Sequence, residues 1–519
     1  MEKLPIIAAI DLGTNSFHMV IARINKTGSI QILSREKEMV RLGSSGKDMK
    51  FLTPESIERG LSTLYSFSKI AETFNAQIRA VATSAVREAS NKNIFIQRAK
   101  DELNIDIEVV SGVEEGRLIF LGVIHGLPIA DKRILIIDIG GGSTETIIGE
   151  DNEIDYVHSE KIGSIRLTKL FFANGKYNSK NISDARKYVR GDWMPILNKI
   201  NSLGFEKVVG TSGTITSLAS IVLALKDSKI PDFLNGITVS SEEIMGVIKL
   251  ITNCKNSDEI KQIPGVEAKR SDIILAGSLI LEAAIEELEI QEFTISPYAM
   301  REGILYDCYS KIQNTPARLN IPNFRNETIS NLALRYNVLD NHSNFVSKIS
   351  LELFEATRSI HKLGNYEKDI MHYSSLLHDI GYWISHDQHH KHSYYIITHS
   401  DLPGFTNDET ELIGTITRYH RKSLPKKTHT EFANFSPKTQ YIIKVLSGIL
   451  RIAEGIDRRQ RQYVKDIKCC FSNFVEIKSR LEIELIPETT KASIDIEKWG
   501  ANRRKDLLEK VLNIDIKFY

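Results

Sequence analysis

Residues 137–148 read I-D-I-G-G-G-S-T-E-T-I-I, and residues 10–21 read I-D-L-G-T-N-S-F-H-M-V-I. The two stretches superpose, with Asp11 on Asp138, Gly13 on Gly140 and Ser16 on Ser143, and with apolar runs on either side. Each reads as a strand, a tight turn and a returning strand. Such a turn brings backbone N–H groups together on an anion, and glycine removes the Cβ atoms that would keep the anion away. Thr14, Asn15 and Ser16 in the first loop, and Gly140, Gly141, Gly142, Ser143 and Thr144 in the second, are the expected phosphate donors. An aspartate at the strand end can hold Mg²⁺, which takes one or two carboxylates together with phosphate and water. Either loop alone reads equally well as an ordinary Asp-Gly hairpin. Two of them, with the acid at the same place, argue for a duplicated phosphate site.

A third element has related chemistry. Residues 208–216, V-V-G-T-S-G-T-I-T, read as a strand whose Gly210-Thr211-Ser212-Gly213-Thr214 loop opens a helix. The N–H groups at the start of that helix form another anion seat.

The rest of the chain sets the frame. At 519 residues it exceeds the size at which one core keeps growing, so several domains are expected. A net charge of +1 gives no global field towards nucleic acid or an anionic membrane, so any anion site is local. No stretch has the ~20 apolar residues of a membrane span. The four cysteines show neither a C-x-x-C pair nor disulfide spacing, and a reducing cytoplasm is the expected setting.

Up to about residue 310, short apolar runs alternate with amphipathic stretches, the mark of α/β layers. Strands are expected at 6–10, 18–24, 78–82, 106–110, 134–138, 145–149 and 206–210. Beyond a proline-bearing segment at 314–322 the pattern becomes helical, and eleven of the fourteen histidines fall between His342 and His429. Strand patterns return near 473, as F-V-E-I-K, L-E-I-E-L and a final I-D-I-K-F.

Two phosphate hairpins and a G-T-S-G-T loop resemble the actin-like phosphotransferase superfamily. Further stretches narrow the resemblance: A-T-S-A-V-R-E-A at 82–89, S-G-V-E-E-G-R-L at 111–118, G-S-I-R-L-T at 163–168 and M-R-E-G-I-L at 300–305. Together they are similar to the exopolyphosphatase / guanosine pentaphosphate phosphatase family. The resemblance implies an α/β fold of duplicated actin-like (ribonuclease H-like) domains, 1–125 and 126–312. A helical HD-type domain, 313–470, and a small α+β tail, 471–519, would follow. It also implies an enzyme that hydrolyses terminal phosphoanhydride bonds of inorganic polyphosphate, or of pppGpp to give ppGpp, and that forms a homodimer. Nucleic acid is not an expected partner.

By the same resemblance Glu115 polarises the attacking water, a role for a carboxylate within reach of the proton it takes. Asp138 and Glu145, with Asp11 as the matching acid of the first loop, hold Mg²⁺ or Mn²⁺. Arg87 clamps the polyanion, and Arg166 and Arg301 are weaker candidates that could equally brace the interface between the two lobes.

In the histidine-rich half, residues 376–392 read L-L-H-D-I-G-Y-W-I-S-H-D-Q-H-H-K-H. The His378-Asp379 doublet, with His361 upstream and Asp457 downstream, resembles the HD phosphohydrolase superfamily. His389 and His420 sit where its two-metal members place further ligands. The resemblance implies a second divalent metal, and imidazole with carboxylate suits a transition ion. The alternative is a metal-free basic scaffold, with 418–429, Arg458, Arg459 and Arg461 as a track for a long polyanion. Two further readings compete with the hydrolase: an actin-like kinase, which would need an acceptor pocket, and a sensor that binds polyphosphate or the alarmone without turnover.

Overall fold

Two sheets of matching topology organise the first three hundred residues. The first has five strands in the order Ile30–Glu38, Phe17–Ile24, Ile6–Leu12, Gln77–Ala82, Ile107–Val109. The second has six, in the order Thr238–Ser240, Glu292–Ile295, Lys207–Thr211, Ile134–Ile139, Thr144–Glu150, Glu153–Glu160. In each, a three-stranded antiparallel meander is extended by parallel strands. Asp11 pairs with His18 across the first hairpin, and Asp138 with Glu145 across the second.

The computed structural model describes residues 5–24, 30–44, 49–129, 131–150, 153–226, 230–231, 233–313, 321–400, 402–472, 479–489 and 493–519. The expected linker falls largely outside the described residues, at 314–320, as does the expected strand at 474–478. The chain divides into two compact units, Met1–Phe324 with Pro403–Thr406, and Arg325–Leu402 with Asn407–Tyr519.

Within the first unit the two sheets share a core. Ile7, Ala9, Val20 and Val81 of one and Ile134, Ile136, Ile147 and Val209 of the other are buried with Leu118, Phe120 and Val123 of the helix Gly112–Gly126. Ile304 and Leu305 of the helix Met300–Gln313 complete that layer. The two helices touch backbone to backbone: a Cβ at Gly122 would fall on the carbonyl of Ala299, and one at Gly303 on that of Leu118. Glycine is therefore a packing requirement there. The outer faces of the sheets carry separate cores.

The second unit is mainly helical, with helices at Asn341–His361, Asn365–Leu377, His389–Thr398, Asn407–Arg418 and Pro437–Ile456. A three-stranded sheet of Val464–Ser472, Arg480–Pro487 and Asp515–Phe518 follows. It opens at Val464, ahead of the strand expected near 473. Two short helices, Asp495–Asn502 and Asp506–Leu512, lie between its last two strands. Among the described residues no helix is long and apolar enough to cross a membrane.

Candidate functional site

The two hairpin turns face one another across a cleft of about 600 Å³, lined by Asp11, Gly13–Ser16, Gly140–Ser143, Glu115, Asp138 and Ser212–Thr214. Glycine is needed at matching places, since a Cβ at Gly13 would lie 2.8 Å from the Ser16 carbonyl and one at Gly140 3.0 Å from that of Ser143. The loops abut: a Cβ at Gly142 would meet Ser84 Oγ at 2.5 Å and Thr14 Oγ1 at 2.9 Å.

The loop carbonyls are held from behind. Gly43 and Arg41 amides donate to Thr14 O and Asn15 O, and those of Ser164 and Ile165 to Gly140 O and Gly141 O. Arg166 Nε donates to Gly142 O at 2.9 Å, while its Nη2 pairs with Glu88. With the carbonyls occupied, the amide N–H groups are what the loops offer an anion. The N-terminus of the helix Ser212–Leu225 adds a third seat, with Ser212 at a left-handed φ of 69°.

Four carboxylates gather beneath these seats. Glu115 Oε2 takes a hydrogen bond from Arg87 Nη1 at 2.7 Å, and Arg87 also donates to Val110 O. Burial raises the pKa of Glu115, and the Arg87 guanidinium opposes that rise. Burial first, then the Glu115 charge, push Asp138 up to about 7 and Asp11 up to about 8. Glu145 is raised well above the usual range by burial and by Glu115 and Asp138, against hydrogen bonds from Ser159 and Ser143. So much buried negative charge calls for a compensating cation. The carboxylate and hydroxyl oxygens here suit Mg²⁺ or Mn²⁺.

Several expected donors lie elsewhere. Thr144 is fully buried and donates its hydroxyl to Ile162 O at 2.6 Å, because the residue has already entered the returning strand with its side chain inward. Gly210 and Thr211 belong to the strand Lys207–Thr211, and Thr211 Oγ1 donates to Tyr298 O. Neither lines the cleft. Glu145 is 1 % exposed and also stands behind the lining, held by Ser159 Oγ at 2.7 Å. Arg87 holds Glu115 in place and does not line the cleft as a clamp on the polyanion.

The cations that do line it are Arg35, Lys37, Arg270 and Arg301. Arg270 lies so close over Gly213 that a Cβ there would overlap its guanidinium. Only Arg301 was legible in a motif. Arg35 and Lys37 lie on an edge strand with no sequence signature, and Arg270 lies in a 3-10 turn far from either loop.

The helical unit carries a second constellation. His342, His378 and Asp379 lie together, as do Asp379, His389 and His420, so Asp379 is common to both groups. His378 Nδ1 donates to Ser375 O, His389 Nδ1 to His386 O and His420 Nδ1 to Thr417 O. His342 Nδ1 bonds Asp457 Oδ2 at 2.8 Å. Each Nε2 lies within 3.6 Å of an Asp379 carboxylate oxygen, and that of His389 also has Arg421 Nη1 at 3.2 Å. His389 Nε2 and His420 Nε2 face each other at 3.2 Å, an arrangement of two acceptors that a cation between them relieves. His342 Nε2, His378 Nε2 and Asp379 Oδ1 are buried without a hydrogen-bond partner. These donors fit a transition metal.

Two expected ligands do not join this cluster. Both ring nitrogens of His361 are engaged by backbone, Nε2 with Phe354 O and Nδ1 with the Leu363 amide, because the residue ends its helix. Asp457 spends its oxygens on His342, on the Arg461 and Gln462 amides and on the Gln462 side chain, so it orients a ligand. His342, the second residue of the helix Asn341–His361, was missed for want of any neighbouring motif. The basic run is partly neutralised, Arg418 by Glu431 and Arg459 by Glu497.

Residues 20–312 match the model of the Ppx/GppA phosphatase family, and residues 324–505 match that of Ppx/GppA phosphatase, domain III. The chain belongs to the Ppx/GppA phosphatase family. It is 32% identical over 510 residues to the guanosine-5'-triphosphate,3'-diphosphate pyrophosphatase of Vibrio vulnificus, covering 97% of each chain. It is 33% identical over 421 residues to the protein of that name from Photobacterium profundum, covering 81% of each. Among solved family structures, an exopolyphosphatase from Cytophaga hutchinsonii is similar over 60% of this chain and 100% of that one, at 32% identity and a TM-score of 0.55. The Aquifex aeolicus PPX-GPPA enzyme is similar over 58% and 99%, at 28% identity and a TM-score of 0.50. The actin-like fold and the helical C-terminal region are those of this phosphatase family.

Proposed function

We propose that this phosphatase is a cytoplasmic, Mg²⁺- or Mn²⁺-dependent hydrolase that removes the terminal phosphate of inorganic polyphosphate. The observation that carries the reading is the placement of Glu115, Asp138 and Asp11 in one cleft between two matched anion-binding loops. The loop amides and the Ser212–Thr214 turn hold the terminal phosphates. Arg35, Lys37, Arg270 and Arg301 balance their charge. Glu115, with one oxygen fixed by Arg87, orients a water in line with the anhydride bond and takes its proton as that bond breaks. A divalent cation held by Asp138 and Asp11, with Glu145 behind them, would neutralise charge on the phosphoryl oxygens.

A second substrate is favoured by two observations. The full-length relatives bear the name of a pppGpp pyrophosphatase. The cleft lining also includes the apolar residues Phe233, Leu234, Ile273 and Met300, which a nucleoside can cover and a bare polyphosphate cannot. Initial rates of phosphate release from long-chain polyphosphate and from pppGpp, at matched chain ends, decide between the two. Release from neither, with binding retained, would make the protein a sensor and refute the hydrolase.

The acids yield a separate prediction. Carboxyls with pKa near 7 and 8 in the fold, against ~3.9 in an unfolded chain, keep protons on the native state that the unfolded state has lost. Metal-free protein should therefore lose stability as pH rises from ~4 towards ~8. Mg²⁺ takes the place of those protons, so the rise in melting temperature on adding it should be larger at pH ~8 than at pH ~5.5. An equal rise at both would show that these acids do not bind the cation.

In the helical unit we propose a transition-metal site built by His342, His378, Asp379, His389 and His420, with Asp457 orienting His342.

A further inference from the structure

The duplicated loops share a hairpin frame and differ in the residue that pairs with the loop aspartate. His18 in the first hairpin stands where Glu145 stands in the second, each paired across its hairpin with the loop aspartate. His18 reaches back to the serine two residues earlier, with Ser16 Oγ 2.7 Å from His18 Nε2, whereas the hydroxyl seated on Glu145 is that of Ser159, at 2.7 Å.

The direction of the His18–Ser16 bond is fixed by its neighbours. Arg301 Nη1 lies 3.1 Å from His18 Nδ1, and a guanidinium can only donate. His18 Nδ1 is thus the acceptor, so the ring proton sits on Nε2 and donates to Ser16 Oγ. Arg301 is itself anchored, through Nε to Glu302 and Nη2 to Pro297 O. Ser16 accepts from His18 and keeps its own hydrogen for the cleft.

We infer that His18 is a positioning residue that fixes Ser16 as a hydrogen-bond donor to a phosphoryl oxygen. The inference rests on the phosphoanhydride reading of the cleft.

The test is a double-mutant cycle, read as binding of inorganic tripolyphosphate in Mg²⁺ by calorimetry. It uses a Glu115→Gln background, so that the ligand is not consumed, with melting temperatures recorded throughout. Ser16→Ala and His18→Phe should each weaken binding about tenfold, the scale of one hydrogen bond to a charged group. The double variant should bind no more weakly than Ser16→Ala alone, because His18 acts only through that hydroxyl. His18→Gln, whose amide can still donate, should stay within about threefold of the parent. Losses that multiply to about a hundredfold in the double variant, or a His18→Gln as weak as His18→Phe, would overturn the relay. Should His18→Phe not fold, His18→Leu replaces it in the cycle. Phosphate release by the unmutated chain is followed in parallel: binding without release refutes the hydrolase, while the coupling between Ser16 and His18 still decides the relay. A Glu115→Gln parent that fails to bind tripolyphosphate refutes both.

Discussion

Glu115→Gln is expected to lower phosphate release by about 10²–10⁴-fold while leaving polyphosphate binding largely intact. The amide keeps the volume of the carboxylate and one oxygen that can accept from Arg87. It has lost the ability to take a proton from water. Its site is 7 % exposed and already crowded by Asp138 and Glu145, so removing a charge there relieves repulsion and should not unfold the chain. Stopped assays of phosphate release, paired with binding of a polyphosphate chain, check both halves. Weak binding together with residual turnover would place the base elsewhere.

His378→Ala is expected to empty the helical unit of its metal, and His342→Ala to do the same, when purified protein is assayed for bound transition ions. Each removes a lone pair whose neighbours are already committed: the Nδ1 of His378 to Ser375 O, that of His342 to Asp457. Asp457→Asn leaves the ligands in place but loosens the orientation of His342, and should weaken the metal by about 10–100-fold, the usual worth of such a partner. His361→Ala should retain the ion, since both its ring nitrogens serve the backbone. Terminal phosphate release should persist in all four variants. Metal retained by His378→Ala would refute the site, and release lost without unfolding would refute the division of labour between the units.

These two sites were legible in the sequence to different depths. The loops were open to reading because their chemistry is local: glycines, hydroxyls and an acid within eight residues of one strand end. Asp138 followed from that frame, whereas Glu115 came only from the family resemblance. What remained hidden depends on tertiary placement. Thr144 sits next to Ser143 in the chain, yet the alternation of a strand turns one into the cleft and the other into the core. Arg87 reads as a substrate clamp in the sequence because its partner, Glu115, lies across the fold. His342 is a lone histidine on an amphipathic helix, and nothing nearby marks it as a ligand. Among elements, the strands Ile30–Glu38 and Glu153–Glu160 were missed because they are sheet edges, whose polar, half-exposed residues blur the apolar pattern. The helices at 164–171 and 300–313 were hidden inside motifs read for their charges.

The contact of Thr14 and Ser84 with Gly142 has a directional meaning. Where the two turns touch, Gly142 has no room even for a Cβ beside Thr14 and Ser84, so no anhydride chain threads between them there. Under the proposed activity the last unit of the chain rests over Glu115, the cut falls at its tip, and the products are single orthophosphates instead of fragments of intermediate length. Opening a passage at that contact would take more than widening a pocket, because the touching residues belong to the loops that form the anion seats.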